Sequence, residues 1–367
     1  MPDNAQDKLT FTKPGVYFDM SFADYLADPS LSASGIKDLL IAPETFYERS
    51  PMNPGHERKD TKDLTNGSAY HARVLEGLEA FNAEYAIMPA EEDYPKALKG
   101  VKALKAACKD LELKQSGTIE ELSERLVEKD PTIQTWHHVL TAFETQNQGK
   151  TFISKEWGQR IEAKAQLLHA HPEVRKAITG GYPEVSIFWR DPETGVPMKA
   201  RIDYLKIKAQ MDLKSFTNMN RVPVDLAIAR AVANNRYHVQ AVVHAEGVEQ
   251  AKKLIRNGAV FGEPSHIPPN EWMRTFVDTP PHAFIFLFLE KTDVPSIRLK
   301  EFPRFNAPSG PGSRTESLAW ETGLGAFRIG LNRYKDCMER FGPNTPWIEV
   351  PPMDAFCDED FPVYMMD

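Results

Sequence analysis

The sequence predicts an α/β protein: a mixed central β-sheet with helices on both faces, carrying a small helical insertion. Three observations predict it. Apolar residues follow a helical period through much of the first 178 positions, a period of two takes over between 184 and 216, and helical sequence returns over 223–257 before two strand-like runs at 284–302. At 367 residues, with 41% hydrophobic and 26% charged, the chain can bury a sizeable core and falls outside the disordered, collagenous and disulfide-rich classes.

Taken in order, LSASGIKDLLIAPETFY (31–47) is predicted as a capped helix, with Ser32 or Ser34 accepting a first-turn N–H and Pro43 marking its end. In GSAYHARVLEGLEAF (67–81), Ala69, Val74, Leu75, Leu78 and Phe81 keep the helical period and place His71 in its first turns. Residues 94–131 change texture to a lysine-rich helix, an SG turn and a second helix, and read as an insertion. Helix resumes over 157–178. EVSIFWR, KARIDYLKI and AQMDLKSF (184–216) then form a β meander, its first turn made by Asp191, Pro192 and Gly195. A helical pair is expected over 223–257, broken near Gly247. The Pro-rich stretch 262–281 is expected as a long loop, NAPSGPGS (306–313) as another, and 314–340 as a last helix. These divisions give a segment 1–93, the insertion 94–131, a core 132–345 and an acidic tail 346–367, whose Phe356, Phe361 and Tyr364 among acids could dock a basic partner.

Composition narrows the function. The longest apolar run, AFIFLFL, is strand-sized and far short of the roughly 18 residues a membrane span needs. The N-terminus is polar, and Cys108, Cys337 and Cys357 are too far apart for a CxxC metal site, so a cytoplasmic protein is expected. A formal charge of -8 argues against general polyanion binding while leaving room for a locally basic channel, for which Arg201, Lys206, Lys208, Arg230 and Arg236 are candidates.

The chemistry sits in the meander. On a strand, residues two apart share a face, so Asp212 and Lys214 point one way while Met211 and Leu213 pack the other. Asp203 on the preceding strand and Glu184 on the one before add two carboxylates, and three such groups on neighbouring strands repel one another unless a cation lies among them. Hard oxygen donors without cysteine point to Mg²⁺ or Mn²⁺ and to phosphodiester hydrolysis, with Lys214 orienting or deprotonating the attacking water.

Glu, then Asp, then D-x-K on consecutive strands, preceded by a GxxxH helix, resembles the PD-(D/E)XK nuclease superfamily in its RecB/RecE-like branch, the exonuclease VIII type. The matching elements are Gly67 and His71, Glu184, Asp203, and Asp212 with Lys214; Tyr237 and Gln240 on the following helix resemble that branch's Q-x-x-x-Y motif. Four positions after Gln240 stands His244 where the pattern has Tyr, and Ser215 follows the lysine where Thr is common. The resemblance implies a restriction-endonuclease-like core. It also implies that His71, Asp203, Asp212 and the backbone carbonyl of Leu213 ligate metal, that Glu184 stands near a second ion or its water, that Lys214 activates the nucleophile, and that Tyr237 and Gln240 contact DNA. Beyond the site, it implies exonucleolytic degradation of linear double-stranded DNA from its ends, 5′ to 3′, leaving 3′ strands for a single-strand annealing protein. A homo-oligomer encoded by a bacterium or prophage is expected. An endonuclease, a single-strand nuclease and a non-cleaving DNA-binding recombination protein are the alternatives.

Within the insertion, Lys96, Lys99, Lys102, Lys105 and Lys109 recur at helical spacing, and the pattern resembles the SAP motif. Lysines so placed reach phosphates, and Ser116 and Gly117 at the turn free backbone amides for the same purpose. Glu120, Glu121, Glu124 and Glu128 nearly balance them, as in an ordinary solvated hairpin.

Overall fold

The meander at 184–216 forms the middle of the molecule. A computed structural model describes residues 9–56, 62–280, 282–306, 315–355 and 357–360. Its strands are β1 (Gly15–Tyr17), β2 (Tyr85–Ile87), β3 (Thr151–Ile153), β4 (Tyr182–Arg190), β5 (Pro197–Leu205), β6 (Ala209–Phe216), β7 (Val260–Phe261), β8 (Ala283–Glu290) and β9 (Ile297–Glu301). Seven of them form one mixed sheet in the order β7-β1-β4-β5-β6-β8-β9, with β6 parallel to β8 and the meander antiparallel throughout. Helices cover both faces, which is the α/β arrangement the sequence predicts.

Side-chain alternation decides what each face buries. Met211 and Leu213 enter the core beneath the Lys62–His71 and Lys155–Ala170 helices, whereas Phe216 enters the one beneath Val224–Asn234. The largest core lies under the Tyr237–Arg256 and Leu318–Phe341 helices and takes Val185, Ile187, Trp189, Ala200 and Ile202 from β4 and β5. Each fully buried valine or isoleucine among them contributes roughly 1.5–3 kcal/mol.

Several boundaries differ from expectation. The predicted 31–47 helix is two: Ser32 caps Ala33–Leu39 by accepting the Gly35 N–H at 3.3 Å, and Pro43 opens Pro43–Arg49 instead of only closing its predecessor. The 67–81 helix is interrupted by a π-helical turn, Ala72–Glu76, and by Gly77 at φ 100°. Gly247 lies inside the Tyr237–Arg256 helix; its missing side chain permits close approach, since a Cβ there would stand 3.2 Å from Trp189 and 3.3 Å from Ala200. The break in the pair falls at Arg236, which holds φ 50°. The expected 262–281 loop contains a helix, Asn270–Asp278, whose Phe276 and Val277 are buried. In the tail Asp354 and Glu359 are exposed, while Phe356, Phe361, Tyr364 and most of NAPSGPGS lie outside the described residues.

The lysine-rich segment leaves the body through β2 and returns through β3, which pair in parallel. Its helices Gly100–Asp110 and Ile119–Lys129 close on a core of Leu104, Cys108, Leu122 and Leu126. Leu98 and Thr135 bridge its ends, with the Leu98 N–H donating to Gln134 at 2.8 Å and Trp136 to Leu98 at 3.0 Å. Among the described residues no helix is long and apolar enough to cross a membrane.

Candidate metal centre

Strand geometry at the site departs from regularity at one place. The β4–β5 ladder pairs Pro183 with Tyr204 and Val185 with Ile202, skipping Glu184 and Asp203, and Glu184 adopts φ 51°. A left-handed non-glycine residue in a strand is strained by about 1–3 kcal/mol and persists only where its surroundings hold it. The kink also breaks the alternation along β5: Ile202 and Leu205, three apart, share the largest core while Tyr204 enters the second. On the other side β5 pairs with β6 only through Tyr204–Met211 and Leu205–Gln210. Past those pairs the strands part, and Asp203 spans the gap by accepting the Leu213 N–H through Oδ2 at 2.7 Å. The result is a wedge between β4, β5 and β6 with acids on its walls.

His71 reaches the wedge from outside the sheet, as the last residue of its helix before the π turn. Wide turns of this kind re-aim neighbouring side chains and concentrate at functional sites. Two braces fix it: Arg73 donates to both Glu162 oxygens at 2.7 and 2.9 Å, and His169 bonds the Val74 carbonyl at 3.1 Å. His71 Nδ1 stands 3.7 Å from Asp203 Oδ2, and one ligand atom each from His71, Glu184 and Asp203 lie within 4.8 Å of one another. Leu213 turns its carbonyl to the His71 ring.

Electrostatics there are unbalanced. Burial, then Asp212, pushes Asp203 well above the ordinary carboxylate range; burial, then Asp203, does the same to Glu184. Burial lowers His71, leaving a neutral imidazole able to ligate. Arg201 offsets only part of the acidity by donating to Glu184 Oε2 at 2.6 Å; it also donates to the Met20 carbonyl and Ser186 hydroxyl, both at 2.8 Å, and so faces the acids instead of a channel.

Asp212 lies beside this group, 1% exposed, with Oδ1 accepting from Gln240 at 2.7 Å and Oδ2 paired to Lys214 at 2.6 Å. Burial alone would depress Lys214, but the Asp212 and Asp203 carboxylates outweigh it and keep the ammonium charged. Tyr237 covers that ammonium at 5.2 Å from its ring centroid. Gln240 is therefore engaged with a site carboxylate, and His244, one turn on, is buried against Phe284 and pushed down to about 4 by that burial.

The strands and two helices thus bring together His71, Glu184, Asp203, Asp212, Lys214, the Leu213 carbonyl, Tyr237 and Gln240. The insertion's residues are elsewhere. Lys99 is tied to Glu91, its Nζ donating to that carbonyl at 2.6 Å, while Lys102, Lys105 and Lys109 are exposed. The Ser116–Gly117 turn leads into the Thr118 cap, whose N–H and hydroxyl are traded with Glu121 at 2.9 and 3.2 Å, and Arg125 binds the Lys114 and Ser116 carbonyls.

Sequence reasoning missed Lys37 and Arg201 as members of the site. Lys37, on Ala33–Leu39, also lies over Tyr237, at 5.3 Å, and is pushed down to about 8 by burial and by Lys214. No local signal marks it, because it reaches Tyr237 only through packing of its helix on Tyr237–Arg256. Arg201 had a signal, sharing the polar face of β5 with Asp203.

Residues 32–261, which hold every residue of the wedge, match the family described as "PDDEXK-like domain of unknown function (DUF3799)". Among solved structures, the crystal structure of a Eubacterium rectale protein described as "Putative exonuclease" is similar, with 13% identity over 87% of each chain and a TM-score of 0.44. No curated protein matches the chain. With more than half of its length covered by the family match, the chain belongs to the PDDEXK-like family DUF3799, and through it to the PD-(D/E)XK nuclease superfamily.

Proposed function

We propose that this chain is a divalent-metal-dependent exodeoxyribonuclease acting on linear double-stranded DNA. One observation carries the reading: an imidazole and two carboxylates from three separate elements converge within 4.8 Å, beside a half-buried lysine paired with a buried aspartate. Two half-buried acids that repel each other are a standing cost unless the site takes a cation. The donors are hard oxygens with one imidazole, a set that suits Mg²⁺ or Mn²⁺. His71, Asp203 and the Leu213 carbonyl would hold the ion, with Asp212 and Glu184 completing its shell directly or through water. Bound there, the cation supplies Lewis-acid polarisation of the phosphate and a more acidic water.

The chain's own groups do the rest. Lys214 presents ammonium donors beside Asp212 to orient the attacking water and meet negative charge as it develops on phosphate oxygens. Gln240 fixes the Asp212 carboxylate, leaving its second oxygen to Lys214. Lys37 and Tyr237 offer a cation and a ring face to the strand near the scissile phosphate. The likeness to RecE-type enzymes supports 5′ to 3′ polarity, delivery of the 3′ strand to a single-strand annealing protein, a homo-oligomeric form and a cytoplasmic setting. The exposed Lys102, Lys105 and Lys109, with Ser116 and Gly117, would add phosphate contacts away from the wedge.

The test is incubation of end-labelled linear and closed circular duplex with Mg²⁺ or with EDTA. Loss of the linear DNA alone, dependent on metal and absent in Lys214→Ala, is expected. Cutting of circles selects an endonuclease on the same site, and retardation without loss selects a binding protein.

A further inference from the structure

The face of β6 that carries Asp212 and Lys214 continues back to Gln210, two residues before Asp212 and 1% exposed. Its cross-strand neighbours are apolar, Leu205 on β5 and Phe284 on β8. Among the described residues neither its amide nitrogen nor its amide oxygen has a hydrogen-bond partner. Buried amides are almost always paired, and one left bare carries the desolvation of both its ends.

The Tyr237–Arg256 helix crosses this face antiparallel to β6, and three contacts set the register. Tyr237 covers Lys214 at 5.2 Å, Gln240 donates to Asp212 at 2.7 Å, and the His244 ring lies 6.2 Å from that of Phe284, the strand partner of Gln210. One helical turn, about 5.4 Å, nearly keeps step with two strand residues, about 6.7 Å. His244 therefore stands on the Gln210 row as Gln240 stands on the Asp212 row. It is 6% exposed, and burial, which pushes it down to about 4, keeps its ring neutral, with one N–H donor and one acceptor nitrogen. Gln210 adds two donors and an acceptor. Waters bridging two to four such groups are a regular part of protein interiors.

We infer that Gln210 and His244 are positioning residues, joined through a buried water into a second polar rung behind the Asp212–Gln240 rung. The His244 ring N–H donates to the water and the Gln210 amide completes its bonds. This rung holds the helix in step with the strand, so that Gln240 reaches one oxygen of Asp212 and the other stays on Lys214. His244, one turn beyond Gln240, thus acts through that residue and touches no reacting atom. For its effect on cleavage the inference rests on the nuclease reading of the wedge; the rung itself does not.

Full-length protein labelled with ¹⁵N-histidine, free of DNA and metal, is read by NMR for a ring N–H protected from solvent exchange. Loss of the signal in His244→Phe identifies it. Wild type should show it with a nuclear Overhauser peak to a bound water, a readout that needs no variant, and absence of either overturns the rung. Gln210→Met, which keeps the side chain's length without its amide, should lose the signal to exchange. With Mg²⁺ and linear duplex, Gln210→Met and His244→Phe should each lower kcat about tenfold with KM within twofold, the low end of what groups that orient metal ligands are worth. The double variant should lose no more than either alone, and His244→Gln, which keeps a donor and an acceptor, should recover most of the rate. A Gln210→Met protein that keeps the signal, or melts higher than wild type with kcat unchanged, shows the amide to be a bare desolvation cost and overturns the rung, as do additive losses in the double variant. Wild type that shows the protected N–H but cuts no DNA keeps the rung and overturns the nuclease reading instead.

Discussion

Two parts of this chain place lysines beside acids and reach opposite physical ends. In the wedge, Asp212 is 1% exposed and its partner Lys214 lies 2.6 Å away under a tyrosine ring. In the inserted hairpin, Lys102, Lys105 and Lys109 and Glu120, Glu124 and Glu128 all face water over a core of four buried side chains. Exposed pairs are worth roughly 0–1 kcal/mol, whereas breaking a buried pair by removing one member costs about 3–5 kcal/mol. The same residue types at similar spacing are thus solvation in one region and chemistry in the other. What separates them is the backbone that closes around them, a kinked β4 and a parted β5 and β6.

Removing one acid from the wedge breaks the comparison most sharply. Asp203→Asn should lower cleavage by on the order of 10³-fold, since it withdraws a ligand charge from the centre of the group. Stability should move the other way. Asp203 titrates above its unfolded value, so the stability it contributes is present in acid and lost as pH rises through its folded pKa. At pH 7 the ionised carboxylate is a burden that the amide escapes, while the amide oxygen can still accept the Leu213 N–H. The variant should therefore melt higher than wild type at pH 7, with the gap narrowing towards pH 4. A lower melting temperature at pH 7 would show that the carboxylate is kept for the fold.

The hairpin is tested by excision. Because Leu98 and Thr135 are bridged, residues 100–133 can be replaced by a short glycine linker without opening the body. If the exposed lysines reach DNA phosphates, the salt slope of duplex binding should fall by about 2–3 and affinity by roughly tenfold, with cleavage at saturating enzyme retained. An unchanged slope would leave the hairpin as a solvated decoration, its lysines balanced by its own glutamates.

How much of this was legible in the sequence follows the range of the forces involved. The meander, the shared face of Asp212 and Lys214 and the order of the acids are local, set by period two and turn chemistry, and they carry the fold class. In KARIDYLKI, Ala200, Ile202 and Tyr204 follow a period of two, and the face swap between Ile202 and Tyr204 has no local signal because the left-handed position is held by Glu184, where no glycine advertises it. Gly247 drew the helix break to itself for the same reason in reverse: it serves close packing on Trp189, and the turn is made by Arg236. Lys37 joins the site through helix packing alone. The Asn270–Asp278 helix was masked by the prolines before and after it, with Pro269 supplying its N-cap.

The smallest expected effect compares backbone strain across the two regions. Glu112, just past the helix Gly100–Asp110, holds φ 59°, and Arg236, just before Tyr237–Arg256, holds φ 50°. Glycine tolerates this conformation without the Cβ clash, so Glu112→Gly and Arg236→Gly should each gain about 0.5–1 kcal/mol from relief of strain, less the entropy glycine adds to the unfolded chain. Their effects on cleavage should differ. Glu112 closes a helix whose charges are solvated, and kcat/KM should not move. Arg236 sets where the next helix begins, and with it the position of Tyr237 over Lys214 and of Gln240 on Asp212. A looser turn there should lower kcat/KM even as thermal unfolding shows a protein no less stable, which is the signature of strain retained for positioning. Equal cleavage by both variants would reduce Arg236 to the status of Glu112, a helix terminus that happens to lie near a metal site.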